Sequence, residues 1–338
     1  MRIQIGTATE QNRQPEPPAR KSNEDFTTCR MASNKGILTA AVMDGIPVLR
    51  NERSEYPPPD YTGLHAATIA GMKLAWGQQY RLNCKAMMQY RFELANNGIK
   101  RANRERELYL KSPPNWVATV GCVLWITLKK REALFGWIGD TIAFLIPDGE
   151  NPRLLGSDQL APWVAHREKP GHRKIGGDGY AGAAREWQDT RVRNKKDARC
   201  WCGAKVQGWG ALTGEPEAMG FVEIQTIHLP ERGRIVLATD AFCVFAGKRG
   251  SRRSVAPYIA PLNLVSNMKP DEAAKELVQL TRSAEETENA RSDDETFCVI
   301  DFDCFPEPDA PADRFLTALR TFFLQKTGLA HSAGAQKM

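Results

Sequence analysis

Five short acidic islands carry the side chains best suited to chemistry, and each ends or interrupts an apolar, strand-like run. They are Asn23-Glu24-Asp25, Asp44-Gly45 after the run 37–43, Gly139-Asp140 after 133–138, Asp240 after 235–239, and Asp293-Asp294 just before 297–300. Carboxylates at strand ends can converge in space while lying far apart in sequence. A convergent set without matching bases repels itself unless hard cations sit between its members. Taken one at a time, each acid is an ordinary strand-end or capping carboxylate, and Gly139-Asp140 is also an ordinary turn. Taken together they point to a metal site built of oxygen ligands.

Other candidate motifs carry less. Gly177-Asp178-Gly179-Tyr180-Ala181-Gly182 matches a dinucleotide fingerprint by letter, but no apolar strand precedes it, so the required context is missing. Cys200-Trp201-Cys202 lacks zinc spacing and a second Cys or His pair. His166, His172, His228 and His331 show no ligand spacing. The basic runs Arg185, Arg191, Arg193, Lys195, Lys196, Arg199 and Lys248, Arg249, Arg252, Arg253 read as solvated surface, with a docking patch for phosphorylated or acidic protein as the sharper option. Interleaved aromatics are lacking there, which argues against nucleic acid.

The elements that must position the acids follow from periodicity. Residues 1–6 fit a first strand and 36–43 a second; residues 46–62, with Pro47, Pro57, Pro58 and Pro59, fit an inserted loop. From Leu64 to about Leu110 apolar residues recur at helical spacing, giving two helices broken near 81–83. Strands at 116–128 and 133–146 form an antiparallel hairpin across Lys129-Lys130-Arg131. Residues 147–215 read as irregular structure over the surface. Strands return at 221–229 and 234–239, a helix opens after Pro270, and 296–302 is a last strand. Three prolines in 305–313 precede a short helix at 314–326, packed by Phe315, Phe322 and Phe323. Antiparallel strands with helices in two blocks indicate an α+β sandwich, not the βαβ alternation of a dinucleotide fold.

Composition agrees. The 338 residues are 42% hydrophobic and 25% charged, ordinary for a folded protein, with net charge +6. No apolar run reaches the roughly 18 residues that span a membrane. The start lacks an apolar signal core. Eight cysteines scattered among apolar positions such as Cys122, Cys243 and Cys298 read as buried free thiols, which fits a reducing cytoplasm.

The order of islands resembles the metal-dependent Ser/Thr protein phosphatase family (type 2C, or PPM), its bacterial branch above all. That family runs Arg-x-x-Asn-(Glu/Gln)-Asp, apolar-Asp-Gly, two helices, apolar-Gly-Asp, apolar-(Thr/Ser)-Asp-Gly and finally Asp-(Asn/Asp)-x-Thr. The matches here are Arg20 with Asn23-Glu24-Asp25, Val42-Met43-Asp44-Gly45, Ile138-Gly139-Asp140-Thr141, Leu237-Ala238-Thr239-Asp240-Ala241 and Ser292-Asp293-Asp294-Glu295-Thr296. The resemblance covers about residues 1–303, read as one catalytic domain; 304–338 is a Pro-rich linker with a short helix. It implies two mainly antiparallel sheets flanked by helix pairs. It implies hydrolysis of phosphoserine and phosphothreonine on a phosphorylated protein substrate, by a water that two divalent cations, Mn²⁺ or Mg²⁺, activate. Asp44 would bridge the cations and Gly45 offer its carbonyl. Glu24, Asp240 and Asp293 would complete the shells, Asp140 would hold a possible third cation, and Arg20 would grip the phosphate. A Ser/Thr kinase acting in the same pathway is a further implied partner; nucleic acid and membrane are not.

Three departures qualify the resemblance. Ile46-Pro47-Val48 stands where the family often has His-Gly-Gly or Met-Gly-Gly, although Gly63-Leu64-His65-Ala66-Ala67 echoes the displaced piece. Ala241 replaces a glycine, which requires negative φ there. Ile142 stands where an arginine commonly follows Gly-Asp-(Ser/Thr). These losses leave a second reading open: a pseudophosphatase that uses the fold to bind phosphoproteins as a regulatory module.

Overall fold

A computed structural model describes residues 2–10, 24–32, 37–46, 63–75, 84–105, 116–127, 130–156, 158–167, 192–199, 203–246, 254–288 and 294–304. The helix at 314–326, the Gly-rich run 177–182, Cys200, Cys202, His172, His331 and the basic group at 248–253 lie outside the described residues.

The strands are β1 (Arg2–Glu10), β2 (Phe26–Ala32), β3 (Ile37–Ile46), β4 (Ala118–Thr127), β5 (Glu132–Ile138), β6 (Ile142–Pro147), β7 (Arg153–Leu155), β8 (Ala198–Arg199), β9 (Lys205–Val206), β10 (Glu223–His228), β11 (Arg232–Ala238) and β12 (Glu295–Asp303). The helices are α1 (Gly63–Ala75), α2 (Lys85–Glu105), α3 (Ala161–Arg167), α4 (Ile259–Leu264) and α5 (Pro270–Thr287). One sheet has the order β1-β12-β11-β6-β7 and the other β10-β5-β4-β3-β2, with antiparallel pairing throughout. β8 and β9 form a small ribbon.

The central strands are apolar on both faces because each face has its own core. On β4, Cys122, Leu124 and Ile126 point between the sheets, whereas Val123 and Trp125 point to α1 and α2. On β12, Cys298, Ile300 and Phe302 point between the sheets, and Phe297 and Val299 pack under α4 and α5. Period-two alternation thus delivers two apolar sets, which reads in sequence as one continuous run. α2 buries Met88, Phe92, Ala95 and Ile99 on one stripe. α5 opens with Pro270, and the Lys269 N–H donates to the Glu272 carboxylate at 3.4 Å. The result is four layers, helices–sheet–sheet–helices, so the expected α+β sandwich is the observed fold. No helix among the described residues is long and apolar enough to cross a membrane.

Four sequence expectations need correction. The run 133–146 is two strands in different sheets: Gly139, at φ +90°, ends β5 and sends the chain across to β6. β2 was not expected; as an edge strand it lacks clean alternation. The stretch 147–215 is not merely surface. Leu160, Trp163, Val192, Ala198, Trp209 and Ala211 form a fourth small core against Val120. Arg193, read as solvated, is fully buried 3.7 Å from Glu215.

Candidate metal and phosphate site

β3, β5, β11 and β12 deliver their acidic ends to one end of the sandwich, because antiparallel pairing sets the C-terminal end of one strand beside the N-terminal end of its neighbour. Asp44 pairs in register with Val120, and Gly139, the residue before Asp140, abuts the Val120 side chain. The chain leaving β11 passes Thr239, whose N–H donates to the Thr296 carbonyl at 3.1 Å, into a 3-10 turn that begins with Asp240. The Thr239 hydroxyl donates to the Asp294 carbonyl at 3.3 Å. The Asp294 carboxylate in turn accepts from the Glu24 N–H at 2.8 Å. Neutral donors therefore tie Asp240, Asp294 and Glu24 into one chain of contacts.

Gly45 joins that chain by close approach. A Cβ there would lie 2.3 Å from the Glu24 carbonyl oxygen and 2.4 Å from the Gly63 carbonyl carbon. Only glycine lets the end of β3 sit on the backbone of Glu24 and on the start of α1. The Gly63 N–H points to the Glu24 carboxylate at 3.4 Å. Gly45 and Gly63, which flank the stretch 46–62, thus lie side by side.

Glu24 and Asp140 are buried, and Asp44 and Asp240 are partly so. Arg20 and Asp293 lie outside the described residues. Among the described residues no group of three Asp, Glu, His or Cys side chains is gathered closely enough to hold a metal ion. The donor set fits hard cations in its chemistry: the acids brought to this end offer oxygen, as does the Gly45 carbonyl. Ala241 has negative φ, since Arg131 and Asn194 are the non-glycine residues with positive φ among those described; its replacement of glycine is therefore unstrained.

Several positioning groups were not legible in sequence. The Gln159 side chain accepts from the Gly139 N–H at 2.9 Å, and the Gln159 N–H donates to the Gly139 carbonyl at 3.0 Å. Its amide nitrogen donates to the Phe221 carbonyl at 2.7 Å and to Glu223 at 3.0 Å. Thr119 donates its hydroxyl to the Asp44 carbonyl at 2.6 Å. Arg282 on α5 bonds both Glu10 and Glu295. Burial pushes the Glu295 carboxyl up to about 7, against the pull of Arg282; Glu10 and Asp294 push it the same way as burial.

Three of the described thiols are poor nucleophiles. Burial pushes Cys29 up to about 11 and Cys122 up to about 12, and Cys298 is raised well above the ordinary range. Thiols so shifted stay protonated at neutral pH.

No family model matches the sequence, and no curated protein matches it by sequence. Solved structures do match by fold. The serine/threonine phosphatase of S. agalactiae superposes with TM-score 0.55 at 15% identity, over 88% of this chain and 99% of that one. The Mycobacterium tuberculosis serine/threonine phosphatase PstP/Ppp gives 0.54 at 14% identity, over 89% and 99%. The catalytic domain of PstP in complex with two manganese ions gives 0.52 at 14%, over 88% and 97%. The chain has the type 2C (PPM) phosphatase fold.

Proposed function

We propose that this protein is a metal-dependent protein Ser/Thr phosphatase acting on phosphoserine and phosphothreonine. The observation that carries the reading is the seat of Asp44-Gly45 on Glu24, at the end of the sandwich where Asp140, Asp240 and Asp294 also arrive. Glu24, Asp44, the Gly45 carbonyl, Asp240 and Asp293 would hold two divalent cations, Mn²⁺ or Mg²⁺, and Asp140 a third. When bound, such cations supply Lewis acidity toward water and phosphate oxygens. Arg20 would orient the phosphate, since a guanidinium offers a bidentate fork that lysine lacks. The shifted thiols support a mechanism without a cysteine nucleophile.

The side-by-side placing of Gly45 and Gly63 supports reading 46–62 as an insertion within a catalytic domain that spans 1–303, followed by a linker and tail at 304–338. Substrates of this class require a Ser/Thr kinase upstream, and the free thiols fit a reducing, cytoplasmic setting.

The test is release of phosphate from a phosphothreonine peptide by the full chain, with Mn²⁺ and then with chelator, for wild type and Asp44→Asn. Metal-dependent release that disappears in Asp44→Asn is expected. No release by folded wild type on several phosphopeptides would favour the pseudophosphatase, which the changed segment after Gly45 also suits.

A further inference from the structure

β5 pairs with β4 only as far as Gly121 opposite Ile138, because the chain turns away at Gly139. The next outward-pointing backbone groups of β4, those of Thr119, would be orphaned there. Leu212 takes the place β5 leaves: its N–H donates to the Thr119 carbonyl at 2.8 Å, and the Thr119 N–H donates to its carbonyl at 3.1 Å. Thr119 stands directly opposite Gly45 on β3, fully buried, with its hydroxyl 2.6 Å from the Asp44 carbonyl oxygen and 2.9 Å from that of Val120.

Leu212 is itself held rigidly. The Asn96 side chain on α2 accepts from the N–H groups of Thr213 and Gly214 at 3.1 and 2.8 Å. Asn103, about two turns further along the same face of α2, donates to the carbonyls of Val117 and Thr213 at 3.0 and 3.2 Å. Asn194 accepts from the Ala211 N–H at 2.9 Å and donates to Glu215 at 2.9 Å. An unbroken hydrogen-bonded path therefore runs from α2 through residues 211–214 and Thr119 to Asp44.

We infer that Thr119 is a positioning residue for the Asp44-Gly45 donor pair, with residues 211–214 as its anchored support. The hydroxyl fixes the peptide plane between Asp44 and Gly45. The two donors, a carboxylate before that plane and a carbonyl after it, keep their relative orientation only while the plane is fixed. The inference rests on the dinuclear reading above. Groups that orient metal donors from behind are worth roughly 10–100-fold in affinity.

The experiment is Mn²⁺ titration calorimetry on the metal-stripped full chain for wild type, Thr119→Val and Thr119→Ser, with thermal melting of each apo form. Thr119→Val should bind Mn²⁺ about 10-fold or more weakly, while Thr119→Ser, which keeps the hydroxyl, should match wild type. Equal affinity in all three would overturn the inference and leave the metal reading standing. No Mn²⁺ uptake by folded wild type would overturn both. Should Thr119→Val fail to fold, Thr119→Ala is read the same way. Should neither fold, hydrogen exchange decides on wild type: Mn²⁺ should slow the Leu212 amide several-fold, and an unchanged rate overturns the inference.

Discussion

The two ends of β12 make opposite uses of acidic residues. At its C-terminal end, Asp301 receives a bidentate grip from the buried Arg234, at 2.6 and 2.8 Å, and Asp303 lies 3.4 Å from Arg232. Arg234 also donates to the carbonyls of Val265 and Met268, so one guanidinium joins β11, β12 and the turn before α5. At its N-terminal end Asp294 accepts from the Glu24 amide, and the next residue, Glu295, meets Arg282. Charge is balanced side chain to side chain at the first end. At the second, the Glu24 N–H and the Thr239 hydroxyl take part in setting the acids in place. An end of the first kind stabilises the fold; the second is the end proposed above to take divalent cations.

Substitutions at the two ends should therefore separate activity from stability. The largest effect expected is at the acidic end: Asp44→Asn should lower phosphopeptide turnover by about 1,000-fold or more, or about 4 kcal/mol in barrier. Its apo-form melting temperature should stay the same or rise, because a mutually repelling charge is removed. A parallel loss of stability would mean that Asp44 is structural, and the contrast would break. At the opposite end, Arg234→Ala should cost about 3 kcal/mol in urea unfolding, since it leaves Asp301 and two carbonyls without their donor. Turnover per folded molecule should hold. A selective loss of turnover there would show that the division between the ends is wrong.

Legibility in the sequence follows the same division. β3, β4, β11 and β12 are readable because both faces are buried, which makes each an apolar run, and the acids are readable because they sit where those runs stop. The order of those acids was enough to anticipate a type 2C sandwich. What holds the acids was hidden. Asp293-Asp294 presents two carboxylates, and nothing local reveals that Asp294 receives the Glu24 amide 270 residues away. Thr119 looks like any strand threonine. Asn96, Asn103 and Asn194 look like solvent-facing polar residues, and Arg193 belongs by spacing to a basic surface run, yet all four are buried. Partners that distant are created by the fold, and local pattern does not encode them.

The space between the two ends should be chemically silent, which gives the contrast its smallest and sharpest check. Cys122 and Cys298 are fully buried in the core between the sheets, where burial keeps their thiols protonated. A thiol whose folded pKa lies above its ordinary value of 9.0 favours the fold below that pH. The contribution then declines as pH rises from 9.0 toward about 12. At pH 8 both cysteines should therefore be protonated and shielded. Iodoacetamide followed by peptide mass mapping should leave them unlabelled in the native chain and label them in denaturant. Labelling of the native chain at either position would mean that the sheets part in solution. The acidic end would then lack the rigid frame that its hydrogen-bonded positioning requires.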